Sequence, residues 1–249
     1  MDVNKGTKNI IVIMILIVVI GIVFSYFYYN DVNKNIDPRL IKIQKTLSYF
    51  DNINKLDSPF VALELMDKLE DDISSFDLYK NSYELGIVKN NKASVYIMMA
   101  LYDDKYQNIK DSLFSEALAE LYKSKYILIE WVNTINNNDR ESFVKKYNAD
   151  YNRNIKIYKG IDRDKLVNHR LEEIELTKIE TPRRLSVVYS NIAVIKRHTG
   201  EMFNAVLYYE KAIKLWPKNH EAINNLRTLM GEDRIKKGAI DKLFPTKRD

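Results

Sequence analysis

Residues 186–219 read SVVYSNIAVIKRHTGEMFNAVLYYEKAIKLWPKN, and this stretch decides the fold. Its apolar residues recur every three or four positions on both sides of Gly200, which is typical of two amphipathic helices joined by a turn. Gly200 can adopt the left-handed conformation that ends a helix, and Pro217 cannot extend the second helix. Ala193 and Ala205 are small enough to let two helices approach closely. The stretch therefore predicts an antiparallel helix pair.

The same stretch resembles one tetratricopeptide repeat, a helix-turn-helix unit with large, small and aromatic residues at fixed places and a closing proline. The residues that match this pattern, and that the resemblance implies pack the two helices together, are Tyr189, Ile192, Ala193, Gly200, Ala205, Tyr209, Ala212 and Pro217. Lys196 departs from the pattern, because an aromatic residue is usual there. Residues 181–232 are accordingly interpreted as one well-formed repeat followed by a capping helix that starts near His220.

The resemblance also implies a place for a partner. Proteins of this family bind peptides or partner proteins on a concave face formed by the first helix of each repeat. The predicted partner-binding face comprises Val187, Ser190, Asn191, Val194, Arg197, Asn224 and Thr228. Arg197 is a candidate for binding a carboxylate of the partner, and a solvated surface arginine is the alternative interpretation.

One repeat cannot bury its own hydrophobic face, and three or more are usually needed. Residues 38–180 carry helical periodicity that is interrupted at residues 52–57 and at Asn136–Asn138. Asp37-Pro38 and Ser58-Pro59 each place a capping side chain before a proline, which is typical of a helix start. We expect this region to form degenerate helical hairpins that stack on the repeat into a solenoid. An irregular helical bundle that carries a single repeat is the alternative. Thr181-Pro182 is interpreted as the cap and start of the repeat's first helix.

Composition supports an all-α fold. The 249 residues include only seven glycines and five prolines, well below the roughly 12% usual for these two residues together. A sheet-rich chain of this length needs such residues at many turns. The chain also has no cysteine, which excludes disulfides, thiol catalysis and thiolate metal sites.

The N-terminal region carries the longest apolar run. Ile10–Phe24 reads IIVIMILIVVIGIVF, and the following SYFYY brings the run to about 20 residues, enough for a helix to cross a bilayer. We therefore predict a transmembrane signal anchor over residues 9–29, after a short basic tail at 1–8 and before a juxtamembrane linker at 30–37. A cleaved signal peptide and a buried helix are the alternatives.

This anchor predicts a single-pass protein of the inner, or cytoplasmic, membrane. A short basic tail before one apolar span usually stays inside, which favours a periplasmic, extracytoplasmic body over a cytoplasm-facing one. The basic tail at 233–249 is a candidate contact for anionic lipid or an acidic partner, and a solvated chain end is the alternative.

No catalytic motif is found in the sequence. The three histidines lie outside any zinc-binding pattern, and no nucleophile elbow, phosphate loop or dinucleotide loop occurs. Basic residues number 39 and acidic residues 34, and they are interleaved, unlike the basic stripe of a nucleic-acid binder. We predict no catalytic residues, no metal site, no cofactor and no nucleic-acid partner.

The predicted function is therefore that of an adaptor or scaffold that binds other proteins or peptides in a cell-envelope complex. In architecture the chain is similar to anchored repeat proteins of translocon-associated chaperoning, and to the repeat scaffolds that surround the periplasmic flagellar motor. A membrane-bound enzyme is the alternative of a different class.

Overall fold

The computed structural model describes residues 5–34, 36–56 and 58–236. Within these ranges the chain is helical and contains no strand, so the predicted all-α class is confirmed. Residues 1–4 of the predicted N-terminal tail and 237–249 of the predicted basic C-terminal tail lie outside the described ranges. The helices are α1 Lys5–Lys34, α2 Pro38–Leu56, α3 Pro59–Ser74, α4 Tyr83–Tyr102, α5 Lys110–Asn137, α6 Arg140–Arg153, α7 Arg163–His198, α8 Met202–Leu215 and α9 His220–Leu229, with a 3₁₀ helix at Asp104–Ile109 between α4 and α5.

The predicted placement in the inner membrane is wrong. In the described part of the chain, no helix has both the length and the apolar character needed to span a bilayer. The unbroken apolar run Ile10–Phe24 would extend over about 22 Å as a helix, short of a hydrocarbon core of about 30 Å. The prediction for residues 9–29 reached the required length only by counting Ser25 and the aromatic residues after it. The predicted orientation of the body, periplasmic or cytoplasmic, was argued from this anchor and therefore loses its basis.

Proline marks the start of two helices of the body. At the start of α2, the Asp37 carbonyl accepts a hydrogen bond from Leu40 N at 2.8 Å. Ahead of α3, the Ser58 hydroxyl accepts from Phe60 N at 3.4 Å. A capping side chain accepts a hydrogen bond from an N–H group in the first turn that would otherwise lack a partner. Proline at the first helical position has no N–H, so one group fewer needs a partner. These two starts are the ones that the sequence indicates.

Helices α4 and α5 form a closely packed hairpin. A Cβ atom at Gly86 would lie 2.7 Å from Leu128 Cδ2, so α5 crosses α4 at a point where a larger residue does not fit without movement of Leu128. At the same crossing, the Ser124 hydroxyl donates to the Gly86 carbonyl at 2.7 Å. Helix α5 is also bonded to α7, because Trp131 Nε1 donates to Thr177 Oγ1 at 2.8 Å.

Helix α7 differs from the expectation. The sequence predicted a break at Thr181-Pro182, whereas Arg163–His198 is one continuous helix with Pro182 inside it. A proline in a helix interior removes one backbone hydrogen bond and costs about 3 kcal/mol. Thr181 and Leu185 are buried on either side of it, so packing of α7 along its whole length offsets that cost. The domain boundary predicted between residues 180 and 181 therefore lies within this helix.

Candidate interaction surface and buried charge clusters

Helices α7 and α8 form the second hairpin. Gly200, with φ of 82°, joins them in the left-handed conformation. Ala193 on α7 and Ala205 and Ala212 on α8 are fully buried, as is Tyr209. With methyl groups at these places, the two helices pack closely and the ring of Tyr209 fills the remaining space.

A chain of hydrogen bonds ties α9 to this hairpin. The Ser186 hydroxyl donates to the Ala212 carbonyl at 2.7 Å and accepts from Asn219 Nδ2 at 2.9 Å. Asn219 Oδ1 in turn accepts from Ala222 N at 3.0 Å and caps α9. The Ser186 hydroxyl and the Asn219 amide are both buried and paired, which avoids the free-energy penalty of an unsatisfied buried polar group.

Arg197, the candidate carboxylate ligand, lies beside the hydroxyl of Tyr209. Burial raises the pKa of Tyr209 to about 12, and the positive charge of Arg197 opposes that shift. The Tyr209 hydroxyl itself is buried without a hydrogen-bond partner within the described residues. Arg197 is half-buried, so part of its side chain remains accessible to a partner.

The seven residues of the predicted partner-binding face do not share one environment. Ser190 is 6% exposed and Asn224 is 7% exposed. Asn191 Nδ2 donates to Asn90 Oδ1 on α4 at 3.1 Å, so it joins two helices of the body. The half-buried residues are Val187, Val194 and Arg197, and Thr228 is exposed. That these residues bind a partner stays a prediction.

Residues 232–236, called here the return segment, cover Asn224. The side-chain amide of Asn224 forms two hydrogen bonds with the main chain of Ile235: the Ile235 N–H donates to Oδ1 at 2.7 Å, and Nδ2 donates to the Ile235 carbonyl at 3.2 Å. Arg227 Nε donates to the Asp233 carbonyl at 2.6 Å, and its Nη1 lies 2.9 Å from Glu232 Oε2. Side chains of α9 thus bind the backbone of the return segment.

The turn into the return segment is set by Gly231. With φ of 77°, it reverses the chain at the end of α9. The Glu232 N–H donates to the Arg227 carbonyl at 2.8 Å and the Gly231 N–H to the Thr228 carbonyl at 3.2 Å, which is the Schellman pattern of helix ends. Asn224 is two residues from the buried Ala222, about 200° around the helix. The return segment therefore lies on the side of α9 opposite to the hairpin.

A cluster of charges is buried at the other end of the chain, around Arg39. Its guanidinium lies 2.9 Å from an oxygen of Asp37 and 2.7 Å from one of Asp150. Four aromatic rings surround it, with centroids 4.9 to 5.7 Å from the guanidinium carbon, and they belong to Phe76, Tyr79, Tyr151 and Tyr158. The arginine is paired with carboxylates and packed against π faces at the same time. We call these seven residues the Arg39 cluster.

Arg170 extends the Arg39 cluster through a second buried ion pair. Its Nη1 atom donates to Glu84 Oε1 at 2.7 Å and to Glu173 Oε2 at 2.9 Å. The ring of Tyr79 lies between the two arginines, 5.3 Å from the carbon of the Arg170 guanidinium. Helices α2, α4, α6 and α7 are joined through these contacts.

The pKa values of these acids follow from their partners. Burial alone would raise the pKa of Asp37, but the hydrogen bonds and charge of Arg39 outweigh burial and hold it below its usual value. Burial acts on Glu84 in the same way, and Arg170 lowers the pKa of that carboxyl overall. Burial and the nearby Asp37 carboxylate raise the pKa of Tyr158 far above the usual value for tyrosine. The acids are therefore charged and the phenol neutral over the physiological pH range.

A second charge cluster joins α3, α4 and α5. Lys89 forms ion pairs with Glu70 and with Glu120, and the distance to Glu120 is 2.9 Å. Lys123 pairs with the same Glu120 at 2.9 Å. Opposite charges alternate across the three helices, so their mutual attraction offsets the cost of burying Lys89.

Two cavities open on the surface near these clusters. One, of about 520 Å³, lies against Tyr151 and Tyr158 and is bordered by Lys156, Lys159 and Arg163. The other, of about 530 Å³, is bordered by residues of the second cluster together with Tyr122, Tyr126 and Ile127. No residue of the predicted partner-binding face lines either cavity.

The described part of the chain contains no group of three or more histidine, aspartate or glutamate residues placed to hold a metal ion. Partial burial, together with the charges of Lys110 and Arg197, lowers the pKa of His198. Its ring lies 6.1 Å from that of Phe114 on α5. His198 thus contacts α5 on one side while the residue remains exposed to solvent.

Sequence reasoning missed the Arg39 cluster. It interpreted Asp37 only as a helix cap and gave no role to Arg39. One signal was present: Tyr147, Tyr151 and Tyr158 recur at helical spacing in a region where most other residues are polar. A tyrosine stripe of this kind indicates a buried face whose hydroxyls need polar partners.

Comparison with known proteins identified no relative of this chain. No protein-family model matches the chain, and neither the curated proteins nor the solved structures gave a match. The resemblance of residues 186–219 to a tetratricopeptide repeat therefore stays a prediction.

Proposed function

We propose that residues 181–232 are a tetratricopeptide-like unit, and that the chain is an adaptor that binds an extended segment of a partner protein on α9. The observation that carries this proposal is the pair of hydrogen bonds between the Asn224 side chain and the main chain of Ile235. An amide that bonds both the N–H and the carbonyl of one residue recognises extended backbone whatever the side chain there. Extended peptides are commonly bound through main-chain hydrogen bonds of this kind.

The rest of the molecule fits a binding role. The two hairpins and the two charge clusters give a rigid framework of long helices, and α9 stands at its C-terminal end. Binding sites on rigid elements lose little conformational entropy on association. The buried acids, arginines and Lys89 of the two charge clusters are paired with one another, which supports a structural role for them.

A site-specific photocrosslinker at Thr228 tests the proposal in cells that produce the protein. Thr228 is exposed and lies one turn beyond Asn224 on the same side of α9. We expect a discrete adduct with one protein, and we expect Asn224→Ala to reduce its yield about tenfold, because each main-chain hydrogen bond then lacks its partner.

The same crosslinker at Glu210, which is exposed on α8, is the matched control and should give no such adduct. An adduct of equal yield from both positions, or no adduct from Thr228, would refute binding on α9.

A further inference from the structure

The return segment shows which kind of ligand α9 accepts. It has no regular secondary structure, and the N–H and the carbonyl of Ile235 both face the Asn224 amide, as the two groups of one residue do in extended backbone. The Asp233 carbonyl accepts a further hydrogen bond from Arg227 Nε at 2.6 Å. The side chain of Ile235 remains 46% exposed. The backbone, and not that side chain, is what α9 holds.

Charge adds selectivity at two positions. Arg227 pairs with the Glu232 carboxylate at 2.9 Å, three residues before the residue that Asn224 binds. Glu221 on α9 lies 3.7 Å from Arg234, one residue before it. A ligand that reproduces these contacts is an extended peptide with an acidic residue three positions ahead of the bonded one and a basic residue one position ahead. Both pairs are partly exposed to solvent, so their contribution to affinity is modest.

We propose that the return segment occupies in cis the site that an extended segment of a partner protein, with an acidic residue at the place of Glu232, takes in trans, so that partner binding must displace residues 233–236 and the Glu232 side chain. This inference rests on the proposed function and adds to it the chemistry of the ligand and a competitor within the chain. The Schellman turn at Gly231 fixes the chain only as far as Glu232, and the contacts beyond it are made by side chains of α9. Those contacts can open while α9 stays intact.

Competition within one chain reduces the affinity for a ligand in trans. A segment tethered by a few residues has an effective concentration in the millimolar range. A free peptide with the same contacts therefore binds only the small fraction of molecules whose return segment is open. Detaching the segment should raise the apparent affinity by about tenfold or more.

The test uses the full chain and a fluorescein-labelled peptide with the sequence of residues 231–236, Gly-Glu-Asp-Arg-Ile-Lys. Ile235→Pro removes the N–H that donates to Asn224 Oδ1 and so weakens the hold on the return segment. Lys236→Pro is the matched control, because the described residues offer no acceptor to the N–H of Lys236. Circular dichroism of both variants checks that the helices are retained.

Fluorescence anisotropy should show the peptide binding Ile235→Pro about tenfold more tightly than the parent or Lys236→Pro. Adding Asn224→Ala to Ile235→Pro should abolish that gain. A peptide with alanine in place of its glutamate should bind roughly twofold to fivefold more weakly, as expected for an exposed ion pair with Arg227.

Two other results would overturn the inference in different ways. Equal affinity for Ile235→Pro and the parent would mean that the return segment does not compete, while binding of peptides on α9 would stand. No binding to any variant up to millimolar peptide would mean that α9 does not accept this ligand. In that case an adduct from Thr228 would still support an adaptor, whereas its absence would refute the proposed function as well.

Discussion

The Arg39 cluster and the α7–α8 hairpin are both buried, yet they hold the chain together by different means. In the cluster, one guanidinium pairs with two carboxylates, and Tyr158 donates to Asp37 across 121 residues of sequence. In the hairpin, three alanines within one 34-residue stretch act by being small, and Gly200 acts through its left-handed backbone conformation. The stability of the cluster depends on every charge having its partner, whereas the hairpin depends on keeping charge and bulk out.

The comparison predicts its largest effect at Arg39. Arg39→Ala leaves Asp37 and Asp150 buried without their cation, and breaking a buried pair in this way costs about 4 kcal/mol. For a chain of this length we expect the melting temperature to fall by about 10 °C. Thermal unfolding followed by circular dichroism measures it.

Lys42→Ala is the matched control, because Lys42 pairs with Asp72 at 3.4 Å in an exposed position on the same helix. Its effect should stay within about 0.5 kcal/mol. Similar melting temperatures for the two variants would contradict a stabilising role for the Arg39 cluster.

The hairpin should respond most strongly to an added charge. Ala205 is fully buried between α7 and α8, so Ala205→Glu forces the helices apart or buries a carboxylate without a partner. The expected loss in the free energy of unfolding is about 3 kcal/mol. The measurement is the same thermal unfolding experiment.

Phe203→Glu introduces the same charge two residues earlier, where the side chain is 76% exposed. An acid in the first turn of α8 also suits the helix dipole, and this variant should melt with the parent. If Ala205→Glu also melted with the parent, the close approach of α7 and α8 at Ala205 would be refuted.

The same contrast explains how much of the structure the sequence predicts. The pattern of residues 186–219 is local, so Gly200, Ala205 and Tyr209 indicate the α7–α8 hairpin without knowledge of the rest of the fold. The starts of α2 and α3 are equally local, because a capping side chain and a proline are neighbours in sequence. The all-α class follows from such signals together with the scarcity of glycine and proline.

What the sequence does not predict depends on contacts between distant residues. Arg170 pairs with Glu84 across 86 residues, and no spacing rule connects them. Thr181-Pro182 has the local pattern of a helix start, but that prediction is wrong, because α7 continues through Pro182 and packs against α5 and α8. Asn224 is placed by periodicity on an open face, but the return segment beyond Gly231 covers it.

As pH is lowered, we expect the Arg39 cluster to lose its structure at a higher pH than the α7–α8 hairpin does. The pKa values of Asp37 and Glu84 are lowered in the folded state, as their buried arginine partners outweigh burial. Their contribution to stability is therefore present above about pH 4.5, the usual range of these acids, and is lost as pH falls through the lowered values. In the hairpin, Glu201 also has a lowered pKa, but it is exposed to solvent and screened.

Hydrogen exchange read by mass spectrometry between pH 5 and pH 2.5 resolves the two regions. After correction for intrinsic exchange rates, protection in α2 and α6 should fall at least about tenfold at a pH where α8 and α9 are still protected. In Arg39→Ala this acid step should be much smaller, because the lowered pKa of Asp37 depends on that arginine. Loss of protection in α8 before α2 would contradict the assignment.

The smallest effect is expected at Tyr209, on the alkaline side. Its pKa is raised to about 12 by burial, whereas tyrosine in an unfolded chain ionises near 10. Because the unfolded state then loses its proton first, the stability associated with the buried neutral hydroxyl is present below about pH 10 and declines as pH rises to about 12. Phenylalanine cannot ionise, so Tyr209→Phe lacks this decline.

At pH 7, Tyr209→Phe should be as stable as the parent to within about 0.5 kcal/mol, because the buried Tyr209 hydroxyl has no hydrogen-bond partner within the described residues. Between pH 10 and pH 12, Tyr209→Phe should become more stable than the parent. Urea unfolding at each pH measures the difference, and subtracting the parent curve removes the titration of the other tyrosines. Tyr126→Phe, at a position 67% exposed on α5, should follow the parent throughout. A difference between Tyr209→Phe and the parent that stays constant with pH would mean that water reaches this hydroxyl, and that α7 and α8 pack less closely at Tyr209 than at Ala205.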